Sequence, residues 1–188
     1  MEDATISALY RFLHVLAGIT WIGLLYFFNL VNAPAIKFPM KKPVDVDLSA
    51  AAGRDLTLKT LWWFRWGAAM TVLFGLLLMD AVAMSYGGWD VYMGSTAGKT
   101  IAVGAGLGLI MAFNVWFIIW PNQQVVQGNN HKIENGAANA DELKADNASR
   151  LPKVKMASRF NFWASIPMLF FMVFAAHGGD ALAGLFGS

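Results

Sequence analysis

Four stretches of this chain, at about 9–32, 60–86, 98–120 and 159–177, are apolar for nearly their whole length. A helix needs roughly 20 predominantly apolar residues to cross a bilayer, and each stretch supplies them. Only 14% of the 188 residues are charged, against about 25% in an ordinary soluble domain, and the charge is missing in blocks. The sequence therefore predicts an all-α polytopic membrane protein. It is a four-helix transmembrane bundle, one domain over 1–188, with no separate soluble domain.

The first stretch is not read as a signal peptide. "MEDATISALY" precedes it with two acids and no Lys or Arg, and its apolar core is long, so it is expected to be retained. The chain has no cysteine. That excludes disulfides, thiolate metal sites and a CxxCH haem attachment. With four spans, both termini share one side with the 87–97 connection, and the 33–59 and 121–158 loops share the other. Of the 14 Lys and Arg residues, all but Arg11 and Lys99 fall on the second side and its helix ends. Positive residues stay in the cytoplasm, so both termini are expected to face out.

Local signals refine this outline. Pro34 and Pro39 stop the first helix. Trp62, Trp63 and Trp66 are placed for an interfacial aromatic belt, with Arg65 snorkelling to the headgroups. Gly104 and Gly108 in "GAGLG" form a small-xxx-small pair that admits a neighbouring helix. No strand precedes them, so they are no nucleotide loop, and no nucleic-acid partner is expected. Pro121 closes the third span. Residues 122–157 read as a polar loop with a short surface helix near 140–149. Pro167 should kink the fourth span.

The ionisable groups carry the functional question. His131 reads as a solvated loop residue. His14 and His177 stand toward the same side, near the start of the first span and at the end of the fourth. Two imidazoles facing across a bundle can hold a metal or the iron of a haem. Gly18, one turn after His14, would leave room for a flat macrocycle. Trp21 continues that face, and Phe170, Val173 and Phe174 flank His177. The plain alternative is that both histidines meet water or headgroups at an interface. Asp80 is the only acid within an apolar span. It accepts the second N–H of a ligand histidine, pairs with Arg11, or reaches the surface. Asn114, Asn29 and Asn32 read as interhelical hydrogen-bonding residues. The methionines show no repeated spacing and read as packing residues.

"RFLHVLAGITWIGLLYFFN", "NVWFIIWPNQQVV" and "NFWASIPMLFFMVFAAH" occur in that order. Together they resemble the membrane domain of the bacterial membrane-bound urate oxidase (urate hydroxylase) family. The matching positions are His14, Gly18, Trp21 and Gly23; Asn114, Pro121, Asn122 and Gln123; and Asn161, Pro167, Met172 and His177. More distantly, the design is similar to copper-resistance membrane proteins and a haem-binding protoporphyrinogen oxidase family. The resemblance implies a bacterial inner-membrane module working with a c-type cytochrome on the outer face. It also favours haem b held by His14 and His177; in such a site Arg11 would pair with a propionate and Asp80 would tune the ligands. Without cysteine, the c-type haem must come from a partner. The alternative expectation is a non-redox accessory subunit of a larger respiratory or monooxygenase complex. Copper handling by the same histidines and direct urate oxidation are weaker readings, because no polar cluster that would hold a purine is apparent. No catalytic residue is assigned.

Overall fold

The computed structural model describes residues 2–32 and 48–177, and every regular element in them is helical. α1 (Glu2–Tyr26) runs into a wide π turn (Phe27–Asn32). Then come α2 (Leu48–Ser85), the short α3 (Trp89–Gly94) and α4 (Thr96–Phe113). A second π turn (Asn114–Ile119) leads into α5 (Trp120–Glu134), and α6 (Ala140–His177) completes the order. Four helical stretches each contain a window long and apolar enough to cross a membrane, within Ala4–Val31, Thr57–Ser85, Thr96–Glu134 and Ala140–His177. The proposed stop at Pro34 and Pro39 lies outside the described residues.

The expected 121–158 loop is instead largely helical. α5 continues the α4 rod straight through Pro121, and α6 begins at Ala140. A proline removes an N–H and crowds the carbonyl of the preceding turn. Here the wide turn just before it absorbs the defect, and the Trp120 N–H reaches back five residues to the Val115 carbonyl. The rod ends at a tight turn where Gly136 takes φ +77, a left-handed conformation that suits glycine. α6 likewise runs through Pro152 and Pro167.

Lipid tails are as apolar as Leu, so helices in a bilayer associate through close packing and interhelical hydrogen bonds. Both are visible. α1 and α2 lie antiparallel with large residues set into glycine notches. A Cβ on Gly67 would come 3.3 Å from the Trp21 backbone nitrogen, and one on Gly18 would lie 3.8 Å from the Thr71 methyl. On the other side of the bundle, a Cβ on Gly104 would meet Met172 N and Phe171 Cβ at 3.3 Å, so α6 approaches the α4 backbone there. Gly108 is buried, but a Cβ there would meet nothing within 4 Å. Of the predicted pair, only Gly104 is pressed by a neighbouring helix. Trp21, Leu25, Phe64, Ala68, Met111, Val115 and Met168 fill the shared centre.

Polar bonds stitch the layers together. Asn161 is fully buried. It accepts from Asn114 Nδ2 at 2.9 Å and donates to the Met111 carbonyl at 2.9 Å, beside the second π turn. Tyr26 meets Ser165, hydroxyl to hydroxyl, at 3.2 Å, while Ser165 lies 2.7 Å from the Phe162 carbonyl. Ser165 has one proton, which goes to the carbonyl, so Tyr26 donates to Ser165. Asn29 donates to Ser158 at 3.0 Å. These bonds join α1 and its π turn to α6.

Beyond them, α5 and α6 continue as a polar hairpin. Asn129 donates to Asp146 and Asn147, both at 2.9 Å, and Asn147 donates to Asn130 at 2.8 Å. Arg150 clamps both Asp146 oxygens at 2.9 and 3.0 Å and reaches Asn122 at 3.2 Å. Hydrogen bonds from Arg150 and then Asn129 hold the Asp146 carboxyl below its ordinary value.

Candidate functional site

The helix register of α1 puts His14, Gly18, Trp21 and Leu25 on one face, and that face packs on α2. His14 is half-buried. Its Nδ1 lies 2.8 Å from the backbone carbonyl of Thr71. A carbonyl only accepts, so Nδ1 carries a proton, and in the neutral ring Nε2 is the nitrogen with the lone pair. The ring occupies the notch above Gly75, where a Cβ would come within 2.9 Å of both Cε1 and Nδ1. The Thr71 hydroxyl folds back onto the Gly67 carbonyl at 2.7 Å. His14 is therefore oriented by backbone on one edge and by an absent side chain beneath. This arrangement is common to metal-bound imidazoles, whose distal N–H is fixed by a carbonyl or carboxylate.

The other predicted residues fall as follows. Gly18 sits under the Thr71 methyl, so that side of the glycine is filled by α2. Trp21 is 1% exposed and its Nε1 has no hydrogen-bond partner. Asp80 is exposed and accepts from Trp89 Nε1 at 2.9 Å. It ties α2 to α3, while the His14 N–H goes to Thr71 instead. Arg11 is exposed, near Tyr92. Tyr92 is buried at 5% exposure and its hydroxyl is pushed above its ordinary value, first by burial and then by Tyr86, with Arg11 opposing.

His177 is exposed, with Nδ1 3.3 Å from the Val173 carbonyl one turn back. Phe170 and Phe174 stack beside it at 4.3 Å between ring centres. The Tyr26–Ser165 contact provides a common level for α1 and α6. His14 and His177 each lie twelve residues from it toward the same end. At 1.5 Å per residue that is about 18 Å for both. The two histidines thus share a depth. The side-chain contacts between their helices (Tyr26 with Phe162 and Ser165, Asn29 with Ser158) lie at the opposite end. Among the described residues there is no cluster of three or more His, Asp or Glu able to hold a metal ion.

Sequence reasoning missed Thr71 and Gly75. The signal was present: Gly67, Thr71 and Gly75 repeat every four residues, a small-residue stripe on one face of α2. It also missed the depth of the Arg65 box at the far end. The Arg65 guanidinium lies 4.1, 4.8 and 5.4 Å from the ring centres of Trp120, Trp116 and Trp66, and its Nε is buried without a hydrogen-bond acceptor. Three indole faces thus take the place of an anion there. No known family, curated protein or solved structure matches the chain.

Proposed function

We propose that the chain is a membrane-integral electron-transfer protein or subunit that binds haem b, which His14 would help to hold. His177, at the same depth, would be the second ligand. The single observation that supports this reading is the state of His14. Its Nδ1 proton is committed to Thr71 and its ring is held in the Gly75 notch, so Nε2 is the nitrogen that the neutral ring would offer to a metal. The donor chemistry of that nitrogen fits a haem iron. When bound, the haem would supply a one-electron redox centre. This chain's own residues would fix the tautomer (Thr71), set the ring plane (Gly75) and present a cation at the same end (Arg11). That end is read as periplasmic from the charge distribution, and a soluble or subunit c-type cytochrome of a bacterial inner membrane would meet the site there. The reading agrees with the resemblance to the membrane domain of urate oxidases.

A second reading is a non-redox accessory subunit, and one observation favours it. The space beside Gly18, expected to admit a macrocycle, is taken by the Thr71 methyl. The His14→Ala and His177→Ala variants separate the two. If the proposal holds, each variant abolishes the b-type spectrum of the purified chain while its far-UV circular dichroism remains that of a folded helical protein. Full haem retention in both single variants overturns the ligand assignment.

A further inference from the structure

At the end of the bundle opposite His14, the outward face of α6 carries a groove of about 470 Å³ lined by Pro152, Lys155, Met156, Arg159 and Phe160. The α-helical register explains its two-part chemistry. Lys155 and Arg159 are one turn apart and form a cationic edge, while Met156 and Phe160 form a parallel apolar edge. All four are exposed, Met156 at 71% and Phe160 at 47%. The groove's depth in the bundle is fixed by Asn29, which bonds Ser158 beside Arg159 and lies two residues from the end of the Ala4–Val31 span. The groove therefore sits where apolar helix gives way to headgroups.

Among the described side chains, nothing neutralises its charge. Neither Lys155 nor Arg159 has an acidic partner among the described side chains. The nearest described acid on α6 toward the hairpin is Asp146, already clamped by Arg150. It stands thirteen residues from Arg159, or about 20 Å of helix, well beyond a Debye length of about 8 Å. Lys153, on the same turn as Lys155, adds to the positive field.

We infer that this groove binds the headgroup of an anionic phospholipid, with Lys155 and Arg159 on the phosphate and Met156 and Phe160 against the first methylenes of the acyl chains. Arginine gives a phosphate a two-pronged partner and lysine a point charge. The adjacent apolar edge distinguishes a lipid phosphate from a free one. The inference is independent of any haem, since it concerns the other end of the molecule.

The test is native mass spectrometry of the full chain released from micelles doped with phosphatidylglycerol or phosphatidylcholine. The wild type should retain phosphatidylglycerol in preference to phosphatidylcholine, with inorganic phosphate at millimolar concentration failing to displace it. Each interfacial cation contributes about fivefold to anionic-lipid binding, so Lys155→Gln with Arg159→Gln should weaken retention about 25-fold. The same charge change in the hairpin, Lys132→Gln with Lys144→Gln, should leave retention unchanged. Equal retention of the two lipids, equal loss in the control pair, or displacement by free phosphate would overturn the assignment. All substituted side chains are exposed, and unfolding midpoints matching the wild type would confirm that the variants fold.

Discussion

Gly75→Ala is the substitution that bears most directly on His14. The new methyl would come within 2.9 Å of His14 Cε1 and Nδ1, closer than two carbons can approach at ordinary van der Waals distance (about 3.5–4.0 Å). The ring cannot simply rotate away, because Nδ1 is bound to the Thr71 carbonyl at 2.8 Å. Either that bond breaks or α1 and α2 separate. A lost hydrogen bond costs about 1 kcal/mol and overpacking costs about 1–3 kcal/mol. Replacing glycine in a helix returns up to about 1 kcal/mol. Whichever cost is met, the balance is a loss of up to about 2 kcal/mol. Gly23→Ala is the matched control, because a Cβ there meets nothing within 4 Å and only the helix-propensity gain remains. Thermal unfolding in detergent reads the stability, and 15N NMR of the imidazole reads the tautomer. The account requires Gly75→Ala to fall below wild type and to lose its single-tautomer signature, while Gly23→Ala matches or exceeds wild type. Equal stability in the two variants, with an unchanged His14 resonance, would refute the packing argument.

Other perturbations have definite outcomes. A double-mutant cycle on Asn114→Ala and Asn161→Ala should give a coupling of about 0.6–2 kcal/mol in unfolding free energy, the range for interhelical hydrogen bonds in a bilayer; additive losses would mean the bond seen at 2.9 Å does no work. Arg65→Lys should lower the unfolding midpoint, because an ammonium cannot lie flat against Trp120, Trp116 and Trp66 as the guanidinium does. Indole fluorescence should shift with it. Asp146 has a folded pKa below its unfolded value of about 3.9. Its contribution is therefore fully present above that pH and disappears as pH falls through the lower folded value. Amide exchange across 122–150 should accelerate over that acid window in the wild type and show no such step in Asp146→Asn.

The four spans were legible because a bilayer imposes one rule on every residue of a crossing segment, and hydropathy measures that rule. Hydropathy says nothing about a helix that continues after its surface turns polar. That is why 121–158 read as a loop, although Asn122 and Asn129 on one side and Asp146, Asn147 and Arg150 on the other have the spacing of facing helical surfaces. Pro121 read as a terminator because local rules assign it that role; the π turn that accommodates it is a property of the turn before it. His14 was legible as an ionisable group in an apolar run. Its partner was not, since a backbone carbonyl carries no residue signature and Gly75 announces itself only once α2 is laid against α1. Asp80 was an attractive partner for a ligand histidine by charge alone, yet the turn into α3 delivers Trp89 to it instead.

The central claim is that His14 is a haem ligand, and an oxidised-minus-reduced visible spectrum of the purified chain with a pyridine haemochrome assay tests it most directly. The account predicts a b-type signal at about one haem per chain, the stoichiometry of a single bis-histidine site. A featureless spectrum from folded protein would contradict it.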